Sequence, residues 1–173
     1  MLSEMYGGHI PVLLNEVIEV LDPQDSKLYV DMTFGAGGHT KQILNVAPEA
    51  RVICLDQDPG AYQTAVSLSD LYSQGQITPI HGRFSDLPEK FQEMGIEPGT
   101  IDGFLFDVGA ASFQFDSAER GFSLSKDGYL DMRMDQGRTV TAMDVVNNLD
   151  ERQLGDIIKK YGEERHYRKI ATA

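Results

Sequence analysis

The sequence predicts an α/β protein with a doubly wound parallel sheet, and three observations support this. Short apolar runs alternate with helix-patterned segments up to Asp107. A glycine loop, Gly35-Ala-Gly-Gly38, directly follows the first of these runs, and Asp56 closes the second run eighteen residues after Gly38. In such sheets the glycines let a ligand approach the first turn, while the carboxylate accepts hydrogen bonds from ribose hydroxyls. The pattern therefore predicts a ribose-containing ligand at the carboxyl ends of the strands.

Composition limits the classes of function. The chain has 173 residues with 41% apolar content, which is enough for one globular domain with a real core. Its net charge of −12 argues against non-specific nucleic-acid binding, so a nucleic-acid substrate would need a local basic patch. Cys54 is the single cysteine and lies in an apolar run, which excludes disulfides and cysteine-based zinc sites and predicts a core residue. No window reaches the roughly 20 apolar residues of a membrane span.

The first half of the pattern is strand, turn and helix, twice over. A helix is predicted from Val12 to Leu21, because its apolar residues have helical spacing and Asp22-Pro23 stops it. The next predicted elements are a strand at Leu28–Met32, the glycine loop, a helix from Thr40 to near Pro48, and a buried strand at Val52–Leu55. Asp58 and Pro59 have the residue types of a helix cap and a first helical position, and Ala61, Ala65 and Leu68 would face inward.

The second half continues the alternation and then changes character. Ile77–Ile80 predicts a strand at the sheet edge, since Pro79 cannot donate to a ladder. A helix at Leu87–Met94 and a strand at Ile101–Asp107 follow. Right-handed crossovers then give the strand order 3-2-1-4, with the ligand at the reversal between strands 1 and 4. After a polar, glycine-rich stretch through Gly137, helices are predicted at 142–149, 151–161 and from Glu163 to the end.

Single residues at the carboxyl ends of the strands, here called the rim of the sheet, can also be explained by ordinary structural roles. Asp58 is best explained as a helix cap, whereas Asp56 is interpreted as a ligand-binding carboxylate. His39 at a helix start can be a cap or a solvated side chain, and it has no partners for a metal site. Asp107 is the most suggestive carboxylate, because it ends a strand that faces the crevice.

The glycine loop favours one class of cofactor. It reads Gly-x-Gly-Gly and lacks the third glycine of a dinucleotide fingerprint, which weakens the case for a nicotinamide-dependent enzyme. S-adenosylmethionine fits better, because it has a ribose for Asp56, an adenine that Phe84 could flank and a methionine part that can lie over the loop.

Several longer motifs resemble the RsmH (MraW) family, whose members methylate the exocyclic N4 of a cytidine in small-subunit ribosomal RNA. The similarity covers the chain from about His9 to its end. It is carried by the motifs His9-Ile-Pro-Val-Leu-Leu-Asn-Glu, Thr33-Phe-Gly-Ala-Gly-Gly-His-Thr, Asp107-Val-Gly, Glu119-Arg-Gly-Phe-Ser, Asp127-Gly-Tyr-Leu-Asp-Met-Arg-Met-Asp135 and Tyr161-Gly-Glu-Glu-Arg165.

The resemblance implies a Rossmann-like class I S-adenosylmethionine-dependent methyltransferase sheet followed by a helical insertion. Residues 9–110 would bind the cofactor, and residues 111–173 would form an incomplete RNA-recognition insertion. The family's later strands are missing from this chain, which therefore resembles a C-terminally truncated member. The family usually has two serines where this chain reads Ala110-Ala111-Ser112, so one hydroxyl near the crevice is lost.

The resemblance also assigns roles to residues. The implied catalytic residue is Asp107, as acceptor of an amine hydrogen, and the implied cofactor-binding residues are Gly35, Gly37, Gly38, His39, Asp56, Phe84, Asp107 and Gln114. Five of the 15 basic residues fall in the last fifteen positions, a run that in most proteins is only a solvated helix face. With the family, the expected RNA-binding residues are Arg120, Arg133, Arg138, Lys159, Lys160, Arg165, Arg168 and Lys169.

Partners and compartment follow from the same resemblance. The expected partners are small-subunit ribosomal RNA and the small ribosomal subunit, with no membrane and no metal, and a homodimer is left open. The Asp31-Met-Thr-Phe-Gly35 loop, Ala61-Tyr62 and Pro98–Gly103 resemble the animal mitochondrial branch, which implies the mitochondrial matrix. No presequence is readable, so the cytoplasm is the alternative. Two other functions stay open: a non-catalytic cofactor-binding fragment of the enzyme, and a nicotinamide-dependent enzyme.

Overall fold

The structure, a computed structural model, describes residues 10–173. It contains two compact units, one that ends at Phe113 and one that comprises Gln114–Ala173. The sequence placed a division between residues 110 and 111. His9, the first residue of the predicted cofactor-binding part, lies outside the described residues. The assignment of the second unit to RNA recognition stays a prediction.

The described part of the first unit is built on a four-stranded parallel sheet. Its strands are β1 (Leu28–Asp31), β2 (Arg51–Asp56), β3 (Ile77–His81) and β4 (Gly103–Leu105). Their order is β3-β2-β1-β4, which confirms the predicted order and the reversal between β1 and β4. Pro79 lies in an edge strand as expected, where its missing N–H costs no ladder bond.

Helices alternate with these strands. They are α1 (Leu14–Leu21), α2 (Gly38–Val46), α3 (Pro59–Ser69), α4 (Leu87–Glu93) and the short α5 (Ser112–Asp116). Helix α1 begins two residues later than predicted, because Leu13 has left-handed backbone angles with φ of 49°. Asp58 caps α3 as predicted, with its carboxylate accepting the Gly60 N–H at 2.8 Å.

The apolar core of the first unit lies on both faces of the sheet. Alternate residues of β2 belong to different apolar clusters, Val52 and Cys54 to one and Ile53 and Leu55 to the other. This alternation follows from the two-residue period of a strand, and both faces are covered as in other parallel sheets. Cys54 is therefore the buried core residue that the sequence predicted. The inward face of α3 is also confirmed, since Ala61, Ala65 and Leu68 are buried.

Strand β4 is shorter than the sequence predicted. The expected strand ran from Ile101 to Asp107, but ladder geometry is limited to Gly103–Leu105. Beyond Leu105 the chain leaves the sheet, and Phe106, Asp107 and Val108 are exposed. Asp107 therefore lies in the segment after β4 rather than at its last position.

The second unit is helical, as predicted. After a single helical turn at Ala118–Arg120 it contains α6 (Ala142–Asn148), α7 (Glu151–Gly162) and α8 (Tyr167–Thr172). The helix predicted from Glu163 onward is wrong at its start, because Glu163 has φ of 52° and ends α7 instead. Helix α8 packs back on α7 where the missing side chain of Gly155 leaves room for the Tyr167 ring, 3.3 Å from an ideal Cβ position.

Candidate functional site

The glycine loop after β1 is shaped by left-handed backbone. Gly35 and Gly37 have φ of 56° and 77°, values that other residues adopt only with strain. The Gly37 N–H donates to the Phe34 carbonyl at 2.8 Å, which closes a tight turn before α2 begins at Gly38. The loop therefore has the sharp turn that the sequence predicted.

Two of these glycines are also required by the protein's own packing. A Cβ on Gly37 would lie 2.5 Å from the Phe34 ring, and one on Gly38 would lie 2.2 Å from Pro11. Pro11 thus packs against the first residue of α2 on the side where a Cβ would lie. The lack of a side chain at both positions is therefore a requirement of the fold itself.

Asp56 lies at the end of β2 beside this loop. Its two carboxylate oxygens accept backbone N–H groups, one from Gly35 at 2.8 Å and one from Asp58 at 2.9 Å. Burial raises the pKa of Asp56, and these backbone hydrogen bonds oppose that rise. The carboxylate that the sequence assigned to ribose therefore also fixes the glycine loop to the second strand.

A buried carboxylate under the loop was not singled out by the sequence. Asp31 is 1% exposed at the end of β1, where it accepts the Thr40 hydroxyl at 2.7 Å and the Thr33 N–H at 3.2 Å. Burial raises the pKa of Asp31, and both hydrogen bonds oppose that rise. The available signal was the Asp31-x-Thr33 spacing, which is typical of an Asx turn.

Asp107, the predicted catalytic residue, is exposed at the rim. Its backbone N–H donates to the Thr33 hydroxyl at 2.7 Å, across the point where the strand order reverses. The backbone around Asp107 is thus tied to the segment that leads into the glycine loop. Sequence analysis placed Asp107 at the end of a strand, whereas it follows β4, and it did not predict this contact.

An aromatic pair connects segments that follow the two edge strands. Phe84 lies in a helical turn after β3, and Phe106 follows β4. Their ring centroids are 5.5 Å apart in an edge-on arrangement, and the side chains remain about half exposed. Phe84 is therefore an exposed aromatic side chain near the rim, as a residue that borders an adenine must be.

Two further predicted cofactor residues are buried. His39 is 6% exposed, with Nε2 lying 3.1 Å from the Val12 carbonyl oxygen, so it is neither a solvated side chain nor a cap. Its visible role is to tie the segment before α1 to the start of α2. Gln114 is 3% exposed within α5, at the beginning of the second unit.

The predicted RNA-binding cations fall into two groups. Arg120 and Arg133 contribute to the fold of the second unit, since Arg133 pairs with Asp131 at 2.6 Å and Arg120 donates to the Arg133 carbonyl at 3.0 Å. The remaining six are exposed: Arg138, Lys159, Lys160, Arg165, Arg168 and Lys169. Lys159 and Arg168 both lie over the Tyr167 ring, at 5.3 and 5.5 Å from its centroid.

The described residues contain neither a metal-binding cluster nor a membrane-spanning helix. Among residues 10–173 no cluster of three or more histidine, cysteine or carboxylate side chains has the geometry to hold a metal ion. Within the same range, no helix has both the length and the apolar character needed to cross a bilayer.

The chain is similar to one protein family and to individual proteins of that family. The model of the MraW methylase family matches residues 7–173. The 12S rRNA N(4)-cytidine methyltransferase METTL15 of Mus musculus is 51% identical over 175 residues, which cover 99% of this chain and 43% of that protein. The ribosomal RNA small subunit methyltransferase H of Parvibaculum lavamentivorans is 47% identical over 165 residues, which cover 95% of this chain and 47% of that protein.

A third relative has an unrelated name. A Culex quinquefasciatus protein named as a receptor-type tyrosine-protein phosphatase is 52% identical over 168 residues, covering 95% of this chain but 11% of that protein. So small a share means that its name need not describe the matching part. The chain spans less than half the length of all three relatives.

Proposed function

We propose that this chain, which belongs to the MraW methylase family, carries the cofactor-binding part of an enzyme that methylates the N4 of a cytidine in small-subunit ribosomal RNA. The proposal is carried by two contacts beside β1, where the strand order reverses: Asp56 accepts the Gly35 N–H of the glycine loop, and Thr33, just before that loop, accepts the Asp107 N–H. This is where α/β sheets bind nucleotide-like ligands. The names of the mouse and Parvibaculum relatives supply the substrate class.

S-adenosylmethionine is the proposed cofactor, and the residues present fit it. The loop from Gly35 to Gly38 would hold the methionine part, Asp56 the ribose, and Phe84 the adenine. When bound, the cofactor supplies an electrophilic methyl group. Roles for His39 and Gln114 at this cofactor are proposed from the family alone.

Asp107 is the proposed catalytic residue. An exocyclic cytidine amine is a poor nucleophile because its lone pair is delocalised into the ring. A carboxylate that accepts an N–H of this amine would orient it and withdraw the proton as the new bond forms. Asp107 is exposed at the rim, so its carboxylate is accessible to a substrate base.

The second unit is the proposed RNA-contacting part, and α7 and α8 are its strongest candidates. Their exposed cations lie beside aromatic rings, with Lys160 5.1 Å from the Tyr161 ring centroid and Tyr161 itself 74% exposed. Basic and aromatic side chains together suit single-stranded RNA, because cations contact phosphates and rings stack on bases. Arg120 and Arg133 are weaker candidates, since their guanidinium groups already hold the unit together.

The proposed compartment and assembly rest on the relatives and on the family, not on the geometry of the site. The mouse relative is named for 12S rRNA, the small-subunit ribosomal RNA of animal mitochondria, which supports the mitochondrial matrix. The proposed macromolecular partner is the small ribosomal subunit or its RNA. A homodimer stays a prediction from the family.

Cofactor binding is the first test. We expect the 173-residue chain to bind S-adenosylmethionine in calorimetry, to discriminate against NAD, and to lose binding in Asp56→Ala. Asp70→Ala is the matched control, because Asp70 is an exposed aspartate at the end of α3. Stronger binding of NAD, or no binding by a folded chain, would contradict the proposal.

Methyl transfer is the second test. With a small-subunit RNA hairpin as acceptor, Asp107→Asn should lose at least about tenfold in rate at saturating cofactor. A wild-type rate in Asp107→Asn would remove Asp107 from the mechanism. Cofactor binding without any transfer by the wild-type chain would favour the alternative of a non-catalytic fragment.

RNA contact is tested with charge-removing variants of α7 and α8. The triple variant Lys159→Gln, Lys160→Gln and Arg168→Gln should weaken hairpin binding and reduce its salt dependence by about three phosphate contacts. Lys90→Gln in α4 is the control, since it removes a partly exposed cation, paired with Glu93, from the first unit. Equal effects of the triple variant and the control would contradict an RNA surface on these helices.

A further inference from the structure

Two side chains tie the segment around the glycine loop to the neighbouring strands. On one side the Asp56 carboxylate accepts the Gly35 N–H at 2.8 Å, which connects the loop to β2. On the other side the Thr33 hydroxyl accepts the Asp107 N–H at 2.7 Å, which connects the segment to the chain after β4. The first contact involves a predicted cofactor residue, whereas Thr33 is not among the predicted site residues.

The backbone of Thr33 is itself held by a buried carboxylate. Its backbone N–H donates to the Asp31 carboxylate at 3.2 Å, and that carboxylate is 1% exposed. The Thr40 hydroxyl, in α2, donates to the other oxygen of Asp31 at 2.7 Å. A series of hydrogen bonds thus runs from α2 through Asp31 to Thr33, and it ends at the Asp107 backbone.

Asp107 needs such support because it lies outside the sheet. The backbone bond from the Met32 N–H to the Leu105 carbonyl, at 2.9 Å, is on the sheet side of Asp107. Phe106 contacts Phe84 edge-on, but Asp107 and Val108 are exposed, so packing does little to fix the direction of Asp107 itself. A hydrogen bond to the backbone of Asp107 itself therefore has a large influence on where its carboxylate lies.

We propose that Thr33 is a positioning residue that orients Asp107 for methyl transfer through its hydroxyl group. This inference rests on the proposed function of Asp107. Threonine suits the role because its oxygen accepts a hydrogen bond and its β-branched side chain has few rotamers. Valine has nearly the same shape but no acceptor, and serine keeps the acceptor.

The direct test is amide hydrogen exchange at Asp107 in the 173-residue chain, followed by NMR. Thr33→Val should speed exchange of the Asp107 N–H about fivefold, the factor for one neutral hydrogen bond. The Met32 N–H is the internal reference and should be unaffected. Thr33→Ser should keep the wild-type exchange rate. Thr64→Val is the matched control, because Thr64 is exposed on α3 and its hydroxyl bonds only to its own helix at Gly60.

Unchanged exchange at Asp107 in Thr33→Val would overturn the proposal. An equal increase in exchange at Met32 and Asp107 would also overturn the proposal. It would mean that the substitution destabilises the carboxyl ends of β1 and β4 in general.

Activity separates positioning from mere stability. Thr33→Val should bind S-adenosylmethionine as the wild-type chain does and lower kcat about tenfold, with the rate recovered in Thr33→Ser. A raised dissociation constant with unchanged kcat would instead make Thr33 a cofactor contact and overturn the role proposed here. If the wild-type chain transfers no methyl group, the proposed function fails for this chain, and the exchange rates alone decide whether Thr33 fixes Asp107.

Discussion

The two units of this chain are stabilised in different ways. In the first unit, large apolar side chains such as Ile43, Ile53 and Leu55 are fully buried on the two faces of a sheet. In residues 114–173, all of which the structure describes, no apolar side chain larger than that of alanine is buried. The buried side chains there are polar: Gln114, Asp131 and Thr141.

This difference shows how a segment with little apolar core can still have a defined fold. Asp131 accepts three nitrogens of Arg133, including the side-chain Nη2 at 2.6 Å and Nε at 2.8 Å. Its own carbonyl accepts the Ala142 N–H at 2.8 Å, next to the cap of α6. We therefore expect the first unit to depend on packing and the second on specific polar contacts.

The largest effect is expected at a glycine with positive φ that packs against a buried aromatic ring. Gly37→Ala would force a Cβ to within 2.5 Å of the Phe34 ring at a φ of 77°, which we expect to cost about 3 kcal/mol. Gly75→Ala is the matched control, because φ is 79° there and nothing lies within 4 Å. It should cost about 1 kcal/mol. Urea unfolding measures both, and similar losses would show that packing against Phe34 is unimportant.

A smaller effect is expected at the polar centre of the second unit. Asp131→Asn removes the ion pair with Arg133 and should destabilise the second unit by about 2 kcal/mol. Asp127→Asn is the control, since Asp127 is an exposed aspartate of the same motif. Amide exchange should show faster opening in residues 114–173 and little change in β1 and β2. An equal increase in amide exchange in both units would contradict the expectation that the two units are stabilised by different contacts.

A single cap provides the next test. Thr141 forms a capping box with Asp144, in which its hydroxyl oxygen accepts the Asp144 N–H at 3.2 Å. Thr141→Ala should cost about 1 kcal/mol, while Thr141→Ser should cost much less. Thermal unfolding of the three chains checks this, and an equal loss in both variants would mean that the methyl group, not the cap, is what matters.

The smallest effect is expected in the pH dependence of stability. The pKa values of two buried carboxylates, Asp31 in the first unit and Asp131 in the second, are shifted in opposite directions. Burial raises the pKa of Asp31, so its contribution to stability is present below about pH 4 and is lost as the pH rises through the folded pKa. The hydrogen bond from Arg133 lowers the pKa of Asp131, so its contribution is present above about pH 4 and is lost on further acidification.

Substitutions at Asp31 and Asp131 show which residue causes each part of the pH dependence of stability. Asp31→Asn should remove the part of the pH dependence that lies above about pH 4, and Asp131→Asn the part below it. Amide exchange of each unit at several pH values is the measurement. Identical pH profiles in wild type and both variants would show that these carboxylates do not control the difference between the units.

Much of the first unit was predictable because its signals are local. Short apolar runs and the cap at Asp58 indicated the elements, and right-handed crossovers gave the strand order without any structure. The short length of β4 was not predictable, since its apolar run to Phe106 reads as strand whether or not the ladder continues. The break at Glu163 was also missed, because a left-handed glutamate has no sequence signature.

The sequence by itself determined the class of sheet and the position of the glycine loop, and it predicted Asp56 and Asp107 as site residues, because each depends on residue type and spacing along the chain. Only the tertiary structure decided what holds them: Pro11 against Gly38, Asp56 on the loop backbone, and Thr33 on Asp107. These contacts join residues that are 21 to 74 positions apart or belong to different strands. Their geometry arises when the strands assemble, and so no local pattern encodes it.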